Sequence, residues 1–134
     1  MKYGYKFLFL MILTLCLLSG CEKKPDEMFK NIDASEIEKI ECSGFTGEKN
    51  GGFSYSIPEE NFDEFAALLG QVKLGHKVDR NTASSSGAVS YFTLYFKDGH
   101  TIKFSPMSYF FIDDTYYVFE NYEELQGSFG ELKE

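Results

Sequence analysis

Between Ala88 and Phe104 the chain alternates on either side of a single turn. Phe92, Leu94 and Phe96 interleave with Tyr91, Thr93, Tyr95 and Lys97, and Asp98-Gly99 then turns the chain into His100 to Phe104. A period of two belongs to a strand with one buried face. A two-residue loop would set Leu94 opposite Lys103 and mix the faces. A three-residue loop, Lys97-Asp98-Gly99 with Gly99 in a left-handed bulge, pairs Phe92 with Phe104 and Leu94 with Ile102. That register keeps one face wholly apolar, so it is the one expected. The opposite face then carries Tyr91, Thr93, Tyr95, Thr101, Lys103 and Ser105. A hairpin of this kind must find an apolar layer to cover one side.

The neighbouring segments supply both sheet and cover. Ile37 to Cys42 reads as a short strand, Ser43 to Gly52 as a Gly-rich loop, and Phe53 to Ile57 as a returning strand with Phe53, Tyr55 and Ile57 on one face. Pro58 suits the first position of a helix, and Glu59 and Glu60 complement its dipole. Phe62, Phe65, Leu68 and Leu69 recur at helical spacing with Ala66, and Gly70 stops the run. Val72 to Val78 reads as a strand with His76 in phase, and Asp79 to Gly87 as a polar loop without an apolar anchor. Tyr109 to Ile112 and Thr115 to Phe119 form a second hairpin across Asp113-Asp114. Both its faces are aromatic, which leaves its register open. Asn121 is placed to cap a last helix with Glu124 as its capping-box partner, and Leu125, Phe129 and Leu132 give that helix a stripe.

Short turns between successive strands imply antiparallel pairing. The expectation is therefore an α+β fold: an antiparallel sheet of about five to seven strands, with one main helix and a C-terminal helix on one face. In element order alone this resembles helix-on-sheet domains of the TATA-box-binding-protein-like and beta-lactamase-inhibitor-like types.

The N-terminus carries a different message. Lys2 and Lys6 precede an apolar run from Phe7 to Leu18, interrupted only by Thr14. Such a run is shorter than the roughly 20 residues that cross a bilayer core as a helix, and it matches the apolar region of a secretory signal. It ends in Leu18-Ser19-Gly20-Cys21, which resembles the lipobox of bacterial lipoproteins. The resemblance implies that residues 1–20 are removed and that Cys21 becomes the N-terminus, carrying a diacylglyceryl group. Palmitate-like chains of that group bury about 0.8 kcal/mol per CH₂ in the bilayer. The expected location is the outer face of the cytoplasmic membrane. The domain organisation expected is signal peptide 1–20, lipidated Cys21 with a flexible tether over 21–31, and a single domain over 32–134.

Charge and cysteines narrow the partners. The whole chain has 13 basic and 21 acidic residues, a net −8. Cleavage would take Lys2 and Lys6 and no acid, leaving 11 basic against 21 acidic residues, a net −10. An acidic domain is not a nucleic-acid binder, because phosphate contacts need clustered Lys and Arg. Of three cysteines, Cys16 would leave with the signal and Cys21 would be acylated, so Cys42 would stand alone without a disulfide. Alternation sets Cys42 on the same strand face as Ile40, the place of a small buried side chain.

No enzyme is expected. His76 and His100 are the only histidines, and the Ser84 to Ser86 run lies in the polar loop. No metal-ligand spacing is present; Asp113-Asp114 reads as a turn, and an oxygen site for Ca²⁺ needs six to eight ligands. No cofactor is expected either. What stands out is aromatic: Tyr91, Tyr95, Tyr109, Tyr116, Tyr117 and Tyr122 crowd the second half. A sheet face bearing Tyr91, Thr93, Tyr95, Thr101 and Lys103 is the candidate binding surface, because Tyr joins a rigid ring to a polar tip. The expected function is a membrane-anchored, extracytoplasmic lipoprotein that binds an envelope protein, similar to small lipoproteins of Gram-positive bacteria. The alternative is an accessory that binds a small molecule or glycan.

Overall fold

The computed structural model describes residues 25–83 and 88–133. The expected signal segment and Cys21, within residues 1–24, and the serine run, within residues 84–87, lie outside the described residues.

Seven antiparallel strands form one sheet: β1 (Ile37–Phe45), β2 (Gly52–Ser56), β3 (Leu74–Val78), β4 (Val89–Phe96), β5 (Thr101–Pro106), β6 (Tyr109–Ile112) and β7 (Thr115–Phe119). Their order across the sheet is β2-β1-β4-β5-β6-β7-β3. The α+β expectation holds, with helices packed on the sheet. The β4–β5 register is the one the alternation requires: Phe92 pairs with Phe104, Leu94 with Ile102, and Tyr95 with Thr101. Gly99 closes that turn at φ 95°, a conformation that favours glycine. In the second hairpin Asp113 and Asp114 take φ 49° and 58°, which pairs Ile112 with Thr115 and Phe111 with Tyr116. Two consecutive positive φ values give a two-residue turn whose twist matches the strands it joins.

Helices cover one face. α1 (Glu27–Lys30) contributes Phe29, α2 (Phe62–Gly70) contributes Phe62, Phe65, Leu68 and Leu69, and α4 (Tyr122–Leu125) and α5 (Ser128–Glu131) contribute Leu125 and Phe129. Their rings meet the apolar stripe of the sheet. Phe65 lies 5.4 Å from Phe92 and 5.5 Å from Phe129, and Phe29 lies 5.8 Å from Phe104 and 5.7 Å from Phe110, all between ring centroids. Burying a Phe contributes about 1.5–3 kcal/mol, and offset or edge-on ring pairs add to that. One glycine makes room on the same side. A Cβ on Gly44 would come 2.2 Å from the Val89 carbonyl oxygen and 2.6 Å from the Phe53 ring, so only a bare backbone lets Phe53 lie across β1.

Six sequence expectations are corrected. The folded unit begins before Ile32: Asp26 and Phe29 are buried, and Asp26 Oδ2 accepts the Leu74 N–H at 3.1 Å. A single aromatic anchor with no periodicity around it gave no helical signal. Pro58 is extended, at ψ 143°, and a 3₁₀ turn over Glu59–Asn61 separates it from α2. His76 is exposed, because the β3–β7 register shifts between Leu74 and Lys77. The segment after Asp79 forms α3 (Arg80–Ala83), which buries Ala83. Asn121 makes no capping bond; its Oδ1 accepts the Lys73 N–H at 2.9 Å and its Nδ2 donates to the Gln71 carbonyl at 2.7 Å. The terminal helix is accordingly two short helices, parted at Gly127 with φ 80°.

Candidate functional site: the tyrosine-bearing face of the sheet

The side chains that alternate with the core stripe come together on the opposite face. Register places Thr93 beside Glu41 and Lys103, and Tyr95 beside Thr101. Tyr91, Thr93 and Tyr95 are half-buried, whereas Thr101 and Lys103 are exposed. All five residues singled out from the sequence therefore share one surface.

That surface has two ends. At the first, Tyr95 donates to Glu41 Oε2 at 3.0 Å, Lys39 pairs with the same carboxylate, and the Lys39 ammonium lies 5.8 Å from the Tyr95 ring centroid. Lys39 first, and then Tyr95, hold the Glu41 carboxyl below its usual pKa; Glu41 in turn raises that of the Tyr95 hydroxyl. These groups are open to water, so they fix side-chain orientation more than they stabilise the fold.

The second end is aromatic. The Lys103 ammonium sits 4.8 Å above the Tyr91 ring, Tyr91 meets Phe111 edge-on at 5.9 Å, and Phe111 meets Tyr116 at 5.0 Å. These rings wall a cavity of about 450 Å³ whose rim includes Arg80 and Ala83 of α3 together with Met107. Its floor is polar at one point: Ser105, 1% exposed, donates to the Ser90 carbonyl at 2.6 Å. Phe111, Tyr116 and Arg80 are the residues sequence reasoning missed. The Asp113-Asp114 pair held the signal for the first two, because a two-residue turn there fixes Phe111 opposite Tyr116. Arg80 had none, since α3 buries only the small side chain of Ala83.

The remaining chemistry-bearing groups lie elsewhere. His100 is exposed, bonded to Asp98, with its ring stacked 4.1 Å from Phe96. Cys42 is 1% exposed on the core face beside Ile40, and burial raises its thiol pKa. Opposite it, Tyr55 is shifted upward as well, first by desolvation and then by Cys42. Among the described residues no three His, Cys, Asp or Glu gather within metal-binding reach, and no helix is long and apolar enough to cross a membrane. No protein-family model, curated protein or solved structure matches the chain.

Proposed function

We propose that the chain is an extracytoplasmic lipoprotein, anchored through Cys21, whose domain binds a protein partner on the sheet face opposite α1, α2, α4 and α5. The observation that carries the reading is the Tyr91–Phe111–Tyr116 ring row. The helices close the opposite face over a complete core, so this row is aromatic surface that the core does not use. Aromatic rings with polar tips, flanked by Lys103 and Arg80, have the composition of interface hot spots. Cross-linking of the lipidated protein in its own membranes tests this. Tyr91→Ala with Tyr116→Ala is expected to lower partner capture at least about tenfold. The melting temperature should fall by only a few degrees, because both rings are half-exposed. Unfolding by this pair would make the rings structural and end the reading.

The anchor has its own test. Cys21→Ala should abolish acyl labelling and leave the precursor uncleaved; unchanged labelling would refute lipid attachment there.

The cavity favours a second reading, a small-molecule or glycan-binding accessory. Its 450 Å³ falls within the range of about 300–1,000 Å³ usual for ligand pockets. A glycan that raises the melting temperature of the wild type but not of Arg80→Ala would support this reading over the first.

A further inference from the structure

The two edges of the sheet are built differently. β3 is irregular, with its register shifted between Leu74 and Lys77, and it carries the exposed charge of Lys77 and the exposed ring of His76. Bulges and outward charges of this kind stop an edge from pairing. β2 has neither. Its five residues, Gly52-Phe53-Ser54-Tyr55-Ser56, hold no charge and no proline, in a chain of net charge −8.

The β1–β2 ladder shows which backbone groups that edge leaves over. Ile57 N–H donates to the Ile40 carbonyl and Thr46 N–H to the Gly51 carbonyl, both at 2.9 Å. Hydrogen-bonded pairs alternate along an antiparallel ladder, so Phe53 and Tyr55 bond inward to Gly44 and Cys42. The N–H and C=O groups of Gly52, Ser54 and Ser56 then point outward, and no described strand lies beyond them. The side chains read the same in either direction: small, aromatic, Ser, aromatic, small. Phe53 and Tyr55 are stacked at 6.2 Å on the helix-covered side, and both are only half-buried.

We infer that β2 is a self-association edge, which pairs antiparallel with β2 of a second copy about a two-fold axis at Ser54. Ser54 then faces Ser54 of the partner, and Gly52 faces Ser56, so every outward group on both strands finds a partner. Phe53 of each copy meets Tyr55 of the other, closing four half-exposed rings over one another and joining two seven-stranded sheets into one. Near-symmetry about Ser54 is what an isologous contact requires. A five-residue strand makes a small interface, so the dimer belongs to the transient class. This surface is the sheet's edge, apart from the tyrosine-bearing face.

Sedimentation equilibrium of the full chain in density-matched detergent tests the inference, with hydrogen exchange at the Gly52, Ser54 and Ser56 amides. A reversible dimer is expected, with these three amides slowing as concentration rises. Ser54→Pro removes the central outward donor without touching the bonds to β1, and Ser54→Lys sets two like charges face to face. Each should weaken the dimer about tenfold or more while leaving thermal unfolding of the monomer nearly unchanged. Should Ser54→Pro fail to fold, Ser54→Lys carries the test. Ser54→Cys should also form a disulfide dimer under mild oxidation, because directly opposed strand residues lie within bridging distance. A chain that stays monomeric up to about 1 mM, far above the range of specific transient complexes, overturns the proposal. So does a dimer that survives Ser54→Lys, or one whose β2 amides exchange freely.

Discussion

Phe29→Ala is expected to lower the unfolding free energy by about 3–5 kcal/mol, the range for emptying a fully packed Phe site. Phe29 is 1% exposed and touches both Phe104 and Phe110, which stack on each other at 5.5 Å across β5 and β6. Removing the ring leaves a void over the centre of the sheet, and α1 has no other buried side chain to hold it down. Urea unfolding followed by far-UV circular dichroism reads the effect as a lower midpoint. Were residues up to 31 only a tether, the change would stay within about 0.5 kcal/mol, as for surface substitutions. The two outcomes differ several-fold, so one pair of curves decides where the domain begins.

Asn121→Ala should cost about 2–4 kcal/mol, a second large loss with a different cause. The Asn121 side chain accepts from Lys73 N–H and donates to the Gln71 carbonyl, pinning the turn after α2 to the end of β7. Alanine strands both backbone groups at a partly buried site, where each polar group left without a partner costs toward the lower end of about 1–3 kcal/mol. Asn121→Asp keeps the acceptor but faces the Gln71 carbonyl with a second oxygen, so it should fall between wild type and Ala. A capping role alone would cost only about 1 kcal/mol and would be satisfied well by Asp. The order of the three midpoints in urea therefore separates the two roles.

What the sequence made legible follows from which contacts are local. The β4–β5 hairpin could be read to the residue, because strict alternation and Gly99 allow one register that keeps the faces unmixed. The five candidate surface residues came with it as the other half of that alternation. The order of the sheet could not be read. β1 pairs with β4, setting Ile40 against Leu94, and β3 joins the far edge through β7; a pairing across so many residues leaves no local mark. The aromatic half of the candidate site was lost for a related reason. Phe110 and Phe111 are identical side chains, and only the packed core decides that Phe110 is buried while Phe111 stands on the open face. Asn121 misled because a capping box and a tertiary bridge need the same side chain, and only the position of Lys73 and Gln71 distinguishes them.

The burial of Asp26 and Phe29 also sets a radius of action. On the proposed anchoring at Cys21, only four residues lie between the anchor and Asp26, five steps along the chain and the first buried side chain among the described residues. Fully extended, five residues span at most about 17 Å, roughly the length of a short strand. A domain anchored that closely would not sweep the space outside the cell for a target. On that proposal it would move as a float on the bilayer surface, and what it meets would have to reach down to the membrane or travel within it. Search in two dimensions raises the local concentration of neighbours held in the same plane, so even weak contacts between such domains become productive.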